Sequence, residues 1–212
     1  LWKKSQPLTE AWVKDYQRVW RPVPRASIIA TSNMASSELI QPNEMQKEAL
    51  KAITNLRVAK HAKRALVVAA TGTGKTYLAA FDVRNFKPSR MLYVVHREQI
   101  LTKAMESFKK ILGGNDDDYG ILSGSQKNLD CKYIFATVNM ASKKDIREQL
   151  GPNAFDYILI DEAHRVSENN ENERASMYQK LMSFYQPKFM MGMTATPERT
   201  DGTNVYEYFD YN

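Results

Sequence analysis

The sequence contains a single cysteine, Cys131, among its 212 residues. One cysteine cannot form an internal disulfide, and no metal-ligand spacing surrounds it. A reducing compartment fits this composition best, so we expect an intracellular, cytoplasmic protein. The sequence also lacks a signal peptide and any apolar run of 18 residues, and we therefore expect no association with a membrane.

Internal repeats and low-complexity tracts are also missing. Hydrophobic residues make up 43% of the chain, which is enough for a packed core, so extensive disorder is not expected. The formal net charge is +6 and the isoelectric point is about 9.2. This charge favours an anionic partner, most often nucleic acid, although a mildly basic soluble protein without such a partner has the same composition.

Residues 1–38 differ in composition from the rest of the chain. They contain all three tryptophans, Trp2, Trp12 and Trp20. Residues 9–20 have the spacing of an amphipathic helix, and residues 27–37 resemble a linker. We interpret 1–38 as an N-terminal extension, the tail of an upstream domain followed by a linker. The tryptophans are either packing residues or platforms for base stacking, and packing is favoured.

From residue 39 onward, short apolar runs alternate with amphipathic segments. The apolar runs predict strands at 65–70, 91–95, 133–137, 157–160 and 188–193. The amphipathic segments predict helices at 43–56, 75–85, 98–112, 143–150 and 171–185. Strands that are continuous apolar runs between helices form parallel sheets covered on both faces. We therefore predict an α/β fold with ligands at the carboxyl ends of its strands.

The segment Thr71-Gly72-Thr73-Gly74-Lys75-Thr76 joins a predicted strand to a predicted helix. That context is typical of a phosphate-binding loop, and a chance glycine turn is the alternative. The two glycines let backbone amides approach phosphate oxygens, and the start of the helix adds its positive end. Lys75 can reach the β- and γ-phosphates of ATP, and the Thr76 hydroxyl can hold Mg²⁺.

A second motif, Asp161-Glu162-Ala163-His164, follows the apolar run 157–160. Two adjacent carboxylates at the end of a strand can simply cap a helix. Downstream of a phosphate loop, we instead predict that Asp161 orients Mg²⁺ and that Glu162 polarises the attacking water as a general base. His164 is suited to sensing the γ-phosphate or to linking this motif to the next one.

Together these residues resemble the first RecA-like motor domain of superfamily 2 helicases and translocases. The resemblance covers residues 39–203 and implies an ATPase that uses ATP and Mg²⁺ to move on nucleic acid. It implies that Gln46 reads adenine, although Asn43 and Gln46 also have the spacing of a capping box. It also implies that residues 204–212 lead to a second RecA-like domain, which in this family supplies the arginine fingers.

Two further segments resemble the family's contacts with the nucleic-acid backbone. His96 and Arg97 follow the strand 91–95, and Thr137 and Asn139 lie at the end of the strand 133–137. Basic, hydroxyl and amide groups are suitable donors to phosphate oxygens. The resemblance therefore implies that these four residues bind nucleic acid.

The segment Thr194-Ala195-Thr196-Pro197 resembles motif III, which couples the nucleotide state to the grip on nucleic acid. The resemblance thus assigns Thr194 and Thr196 to coupling. Thr-Ala-Thr-Pro is similar to motor subunits of type I and type III restriction enzymes, which implies DNA rather than RNA, and nuclease or modification subunits as partners. An RNA-dependent ATPase and a non-hydrolysing regulatory module remain as alternatives.

Two charged segments have simpler interpretations. A basic run, made of Arg57, Lys60, Lys63 and Arg64, is expected to be the solvated end of a helix, with DNA contact as the alternative. Residues 115–118 are acidic but lack the full spacing of a calcium loop, so we predict a polar loop.

Overall fold

The computed structural model describes residues 40–167, 173–197 and 205–210. The predicted N-terminal extension, with its helix and tryptophans, lies outside the described residues. Within them the chain forms six strands: β1 Arg64–Val68, β2 Met91–Val95, β3 Tyr119–Leu122, β4 Tyr133–Thr137, β5 Tyr157–Asp161 and β6 Phe189–Thr194. It also forms six α-helices: α1 Glu44–Val58, α2 Lys75–Phe86, α3 Glu98–Leu112, α4 Val138–Ala141, α5 Lys144–Leu150 and α6 Glu173–Phe184.

All strands of the sheet run parallel, in the order β1-β6-β5-β2-β4-β3. Parallel strands bring all their carboxyl ends to one edge. Because β1, β6 and β5 are neighbours, the segments that follow them meet at that edge. These segments are the phosphate loop, the Thr194–Thr196 segment and the acidic motif.

Side chains of the strands alternate between two hydrophobic cores, one on each face of the sheet. On one face, Tyr93 and Leu159 pack with residues of α1, α2 and α3. On the other, Leu92 and Ile158 pack with residues of α4, α5 and α6. The strands are therefore apolar on both faces, as expected for a parallel sheet. The predicted α/β fold, with helices on both faces of a parallel sheet, is confirmed.

The strand β3 was not predicted. Its four residues follow a polar loop that ends in a 3₁₀ turn, Asp116–Asp118, and so short a run gives little periodic signal. The prediction for β1 was too long at its carboxyl end. β1 ends at Val68, and beyond it the carbonyls of Ala69 and Ala70 accept hydrogen bonds from the Lys75 ammonium.

The interpretation of Arg57 as part of a solvated basic run was wrong. Its guanidinium forms a bidentate ion pair with the carboxylate of Asp82 in α2, with N–O distances of 2.5 and 2.8 Å. Asp82 is fully buried, and the Tyr157 hydroxyl also donates to it. Arg57 instead holds α1 against α2, since a buried carboxylate needs a cation and hydrogen-bond donors.

Residues 205–210 pack against the sheet. They include a 3₁₀ turn, Val205–Tyr208. Phe209 is buried over Gly192 of β6, where an added Cβ would lie 2.7 Å from the Phe209 Cε1 atom. The Asp210 carboxylate accepts hydrogen bonds from the backbone amides of Lys63 and Arg64, at 3.0 and 2.9 Å.

Among the described residues, no helix combines the length and the apolar character needed to cross a membrane.

Candidate functional site

The phosphate loop depends on two glycines with positive φ. Gly72 has φ +81° and Gly74 has φ +82°, in the left-handed region that other residues adopt only with strain. A Cβ at Gly72 would meet no atom within 4 Å, so its backbone angle alone requires glycine. Gly74 is the N-cap of α2, so the free amides at the start of that helix line the loop.

Polar side chains of the loop hold its shape. The Lys75 ammonium donates to the carbonyl oxygens of Ala69 and Ala70, at 2.9 and 3.1 Å. The Thr73 hydroxyl donates to the same Ala70 oxygen at 2.8 Å. Thr71 is exposed, and Thr73, Lys75 and Thr76 are partly exposed. The positive charge of Lys75 therefore lies at the mouth of the loop, with access to solvent.

Asp161 ends β5, and its carboxylate has two hydrogen-bond donors. The Tyr93 hydroxyl donates to Oδ2 at 2.9 Å, and the Glu162 amide donates to Oδ1 at 3.0 Å. Burial raises the pKa of the Asp161 carboxyl, while the hydrogen bond from Tyr93 and the charge of Lys75 act in the opposite direction. The effect of Lys75 on this pKa links the acidic motif to the phosphate loop.

Glu162 has a backbone conformation that is unusual for its residue type. Its φ of +53° is left-handed, which costs a residue with a side chain about 1–2 kcal/mol. Such strain is concentrated at functional sites, where the surrounding structure maintains it. The Glu162 side chain is 35% exposed, so its carboxylate has access to water.

His164 connects Glu162 to Thr194. Its Nδ1 atom lies 3.3 Å from Oε2 of Glu162 and 2.9 Å from Oγ1 of Thr194. Thr194 is fully buried at the end of β6, and its Oγ1 accepts a hydrogen bond from the Thr196 amide at 3.1 Å. The Thr194 carbonyl accepts the Ala69 amide at 3.0 Å. The structure thus joins the predicted coupling residues to both nucleotide motifs.

Tyr93 is a site residue that the sequence analysis missed. Burial, followed by the nearby Asp161 carboxylate, raises the pKa of its hydroxyl well above the ordinary value. A hydroxyl inside the apolar run 91–95 was the available signal. It could not be interpreted without knowing that β2 pairs with β5.

Gln46 forms the capping box that was its alternative interpretation. The Asn43 side chain accepts the Gln46 amide at 2.8 Å, and Gln46 Oε1 accepts the Asn43 amide at 3.0 Å. Its Nε2 atom also donates to the Gly74 carbonyl at 3.4 Å. Gln46 therefore caps α1 and contacts the phosphate loop with the same side chain.

Three of the four predicted nucleic-acid contacts share one cavity. His96, Arg97 and Asn139 line a cavity of about 250 Å³ together with Arg165, which the sequence analysis did not single out. Thr137 does not belong to this group. It is only 8% exposed, and its hydroxyl accepts the Met140 amide at 3.4 Å as the N-cap of α4.

The oxygen donors at this edge fit a magnesium ion that is bound together with phosphates. No group of three or more His, Cys, Asp or Glu side chains that could hold a metal occurs in the part of the chain that the structure describes. Mg²⁺ is commonly bound by one or two protein oxygens plus substrate phosphates. Thr76 and Asp161 offer a hydroxyl and a carboxylate, and the Asp161 carboxylate accepts a hydrogen bond from the Tyr93 hydroxyl.

Comparison with solved structures finds the same fold. The crystal structure of the Hef helicase domain of Pyrococcus furiosus superposes with a TM-score of 0.64 at 21% sequence identity. The superposition covers 82% of this chain and 38% of that one.

Two curated relatives have higher sequence identity to this chain. The type I restriction enzyme EcoAI endonuclease subunit of Escherichia coli is 26% identical over 157 residues, which are 69% of this chain and 18% of the relative. The DNA 3'-5' translocase XPB2 of Sulfurisphaera tokodaii is 31% identical over 163 residues, which are 77% of this chain and 32% of the relative. This chain therefore spans a third or less of each relative.

Residues 39–199 match the family described as the res subunit of type III restriction enzymes. This match covers most of the chain, and the fold and relatives agree with it. The chain belongs to this family, as a RecA-like motor domain of the helicase and translocase type.

Proposed function

We propose that this domain binds ATP with Mg²⁺ and hydrolyses it, and that the protein containing it thereby moves along DNA. One observation carries the proposal. The phosphate loop, the Lys75 ammonium and the Asp161–Glu162 pair converge at the carboxyl edge of three neighbouring strands. This edge is where parallel α/β sheets bind nucleotides.

The phosphate loop would bind the triphosphate. The amides of residues 71–76 and the start of α2 provide donors and a positive dipole end. Lys75 would exchange its contacts with the loop carbonyls for the β- and γ-phosphates. Thr76 and Asp161 would hold Mg²⁺, and Gln46, which already contacts the loop, would lie beside the adenine.

Glu162 would act as the general base. A carboxylate that is partly exposed and held in a strained backbone conformation is well placed to orient a water molecule. His164 would report the state of the γ-phosphate to Thr194 and Thr196, since it contacts both Glu162 and Thr194.

DNA is the favoured nucleic acid. The relatives include a DNA translocase and a restriction-enzyme subunit, and the segment Thr194–Pro197 resembles the motors of restriction enzymes. The cavity lined by His96, Arg97, Asn139 and Arg165 would contact the backbone, with two arginines available for phosphate oxygens. The buried Thr137 would support this surface by capping α4.

A second RecA-like domain would complete the ATP site. In this family that domain supplies the arginine fingers, which are worth roughly 10³ to 10⁵ in turnover in related phosphoryl-transfer enzymes. We therefore expect the 212-residue chain to bind nucleotide weakly and to hydrolyse it very slowly. Nuclease or modification subunits are the further partners that a restriction-enzyme motor would have.

The test measures ATP turnover in a protein that carries both motor domains, with double-stranded DNA, with RNA and without nucleic acid. DNA should stimulate turnover. Glu162→Gln should retain ATP binding and lower turnover by about 10² to 10⁴. Glu106→Gln is the matched control, because Glu106 is exposed on α3.

Three outcomes would change the proposal. Stimulation by RNA alone would make the protein an RNA-dependent ATPase. ATP binding without hydrolysis under any condition would indicate a regulatory module. Wild-type turnover in Glu162→Gln would remove Glu162 from the role of general base.

A further inference from the structure

Tyr93 is the only residue of β2 with a polar group in its side chain, and the whole strand is buried. In the register of the sheet, Tyr93 lies beside Leu159 of β5. Alternate residues of a strand share a face, so Asp161 lies on the same face as Leu159, two positions further on. The length of a tyrosine side chain spans this diagonal, which is why its hydroxyl reaches the Asp161 carboxylate at 2.9 Å.

The Tyr93 ring is held by an aromatic cluster. Its centroid lies 5.4 Å from that of Phe108, in an edge-to-face arrangement, and 5.4 Å from that of Phe135. Phe108 and Phe135 in turn pack edge to face at 5.3 Å. All three rings are completely buried, so the Tyr93 hydroxyl has little freedom to move.

The hydroxyl acts on the carboxylate that would hold Mg²⁺, since it donates to Oδ2 of Asp161. The other Asp161 oxygen is fixed by the Glu162 amide. Each carboxylate oxygen accepts more than one hydrogen bond or metal contact, so Asp161 remains able to bind a cation while both its oxygens are held.

We propose that Tyr93 is a positioning residue that orients the Asp161 carboxylate, so that this carboxylate is prepared to bind the magnesium of a magnesium–nucleotide complex. Groups that orient metal ligands in this way typically contribute 10- to 100-fold in metal affinity. The role of Tyr93 rests on the proposed nucleotide site.

Tyr157 provides a matched control. It is also completely buried, lies on the same face of the sheet and donates its hydroxyl to an aspartate, Asp82. Its hydroxyl is at the amino end of β5, away from the phosphate loop. Both Tyr93→Phe and Tyr157→Phe remove one buried hydrogen bond to a carboxylate, but only the first removes it from the magnesium ligand.

The experiment titrates a protein that carries both motor domains with a fluorescent, slowly hydrolysed ATP analogue, first in EDTA and then over a series of Mg²⁺ concentrations. For Tyr93→Phe, the affinity in EDTA should stay within about twofold of wild type, while the Mg²⁺ concentration at the midpoint should rise about tenfold. Tyr157→Phe should change neither value. Phe135→Leu keeps the hydroxyl but loosens the ring, so it should raise the Mg²⁺ midpoint by a smaller factor.

The result separates the two proposals. If wild type binds the analogue with a clear dependence on Mg²⁺, and Tyr93→Phe and Phe135→Leu have the wild-type midpoint, the role of Tyr93 is overturned and the nucleotide site stands. Equal midpoint shifts in Tyr93→Phe and Tyr157→Phe would also overturn it, because they would indicate a general loss of rigidity. If wild type binds no analogue at all, the proposed function fails and the role of Tyr93 fails with it.

Discussion

The Nδ1 atom of His164 lies 2.9 Å from the hydroxyl oxygen of Thr194, across the boundary between β5 and β6. The same nitrogen lies 3.3 Å from the Glu162 carboxylate. The Thr194 carbonyl accepts the amide of Ala69, which precedes the phosphate loop. A displacement of Thr194 would therefore change the contacts of both the candidate general base and the segment that leads into the phosphate loop.

A double-mutant cycle tests this contact. His164→Ala and Thr194→Val should each lower kcat/KM for ATP, and the double variant should lose less than the sum of the two. Residues in direct contact usually show a coupling of about 0.5–3 kcal/mol. The measurement is nucleic-acid-stimulated turnover in a protein with both motor domains, converted to free energy from the ratio of kcat/KM values. Additive losses would show that the two side chains act separately.

Removing one partner of the buried ion pair between Arg57 and Asp82 should cost more stability than losing any other polar contact described above. Arg57→Ala would leave the Asp82 carboxylate buried without its cation. We expect the free energy of unfolding to fall by about 3–5 kcal/mol.

Urea denaturation of the 212-residue chain measures this loss. Lys51→Ala, which removes an exposed cation from the same helix, should cost no more than about 0.5 kcal/mol. A loss below about 1 kcal/mol in Arg57→Ala would contradict the prediction.

Asp156 should make stability depend on pH. The hydrogen bond from Lys188, at 2.9 Å, and the amide of Ser89, at 2.7 Å, hold the pKa of the Asp156 carboxyl below its ordinary value. A carboxyl whose pKa is lower in the folded state stabilises the fold above its unfolded pKa of about 3.9. This stabilisation is lost as the pH falls through the lowered pKa.

Asp156→Asn should therefore lower the free energy of unfolding by about 1 kcal/mol at pH 7. Its difference from wild type should shrink below about pH 4, where the unfolded carboxyl becomes protonated. Thermal unfolding from pH 3 to pH 7 measures both, with Asp130→Asn as a control at an exposed aspartate. A difference of the same size at pH 3 and pH 7 would mean that the charge of Asp156 is not the cause.

A side chain at position 192 should lower the stability of the domain while Phe209 is in place. An added Cβ would lie 2.7 Å from the Phe209 Cε1 atom and 3.0 Å from the Ala163 Cβ atom. Gly192→Ala should destabilise the domain by about 1–3 kcal/mol, because overpacking forces buried neighbours to move.

In a Phe209→Leu background, Gly192→Ala should cost less stability than in wild type. Urea denaturation of the two single variants and the double variant would measure this coupling between positions 192 and 209. If Gly192→Ala is neutral in the wild-type background, Phe209 does not pack on β6 as described.

Most of the sheet and the glycine turn before α2 could be predicted because their signals are local. A continuous apolar run predicts β5, and glycines at positions 72 and 74 predict a turn with positive φ. The four residues of β3 are too few for a periodic pattern that would predict a strand. Its place at the edge of the sheet depends on pairing with β4, which a single sequence does not reveal.

The contacts of Tyr93 and Arg57 could not be predicted because they join distant segments. Tyr93 lies 68 positions from Asp161, and Arg57 lies 25 positions from Asp82. Their roles follow from the strand order and from the packing of α1 on α2. Thr137 shows the opposite case, since its family resemblance pointed to the surface while the fold uses its hydroxyl to cap α4.

The contact of Asp210 with the amides of Lys63 and Arg64 would transmit a pull on this end of the chain to β1. These amides lie at the amino end of β1, whereas the phosphate loop follows its carboxyl end. Tension applied to the chain beyond Asp210 would therefore first pull on the edge of the sheet opposite the phosphate loop. The tension would then reach the phosphate loop along the length of β1. In a motor that works against a load, the load would therefore be transmitted to the loop through a strand rather than through a hinge.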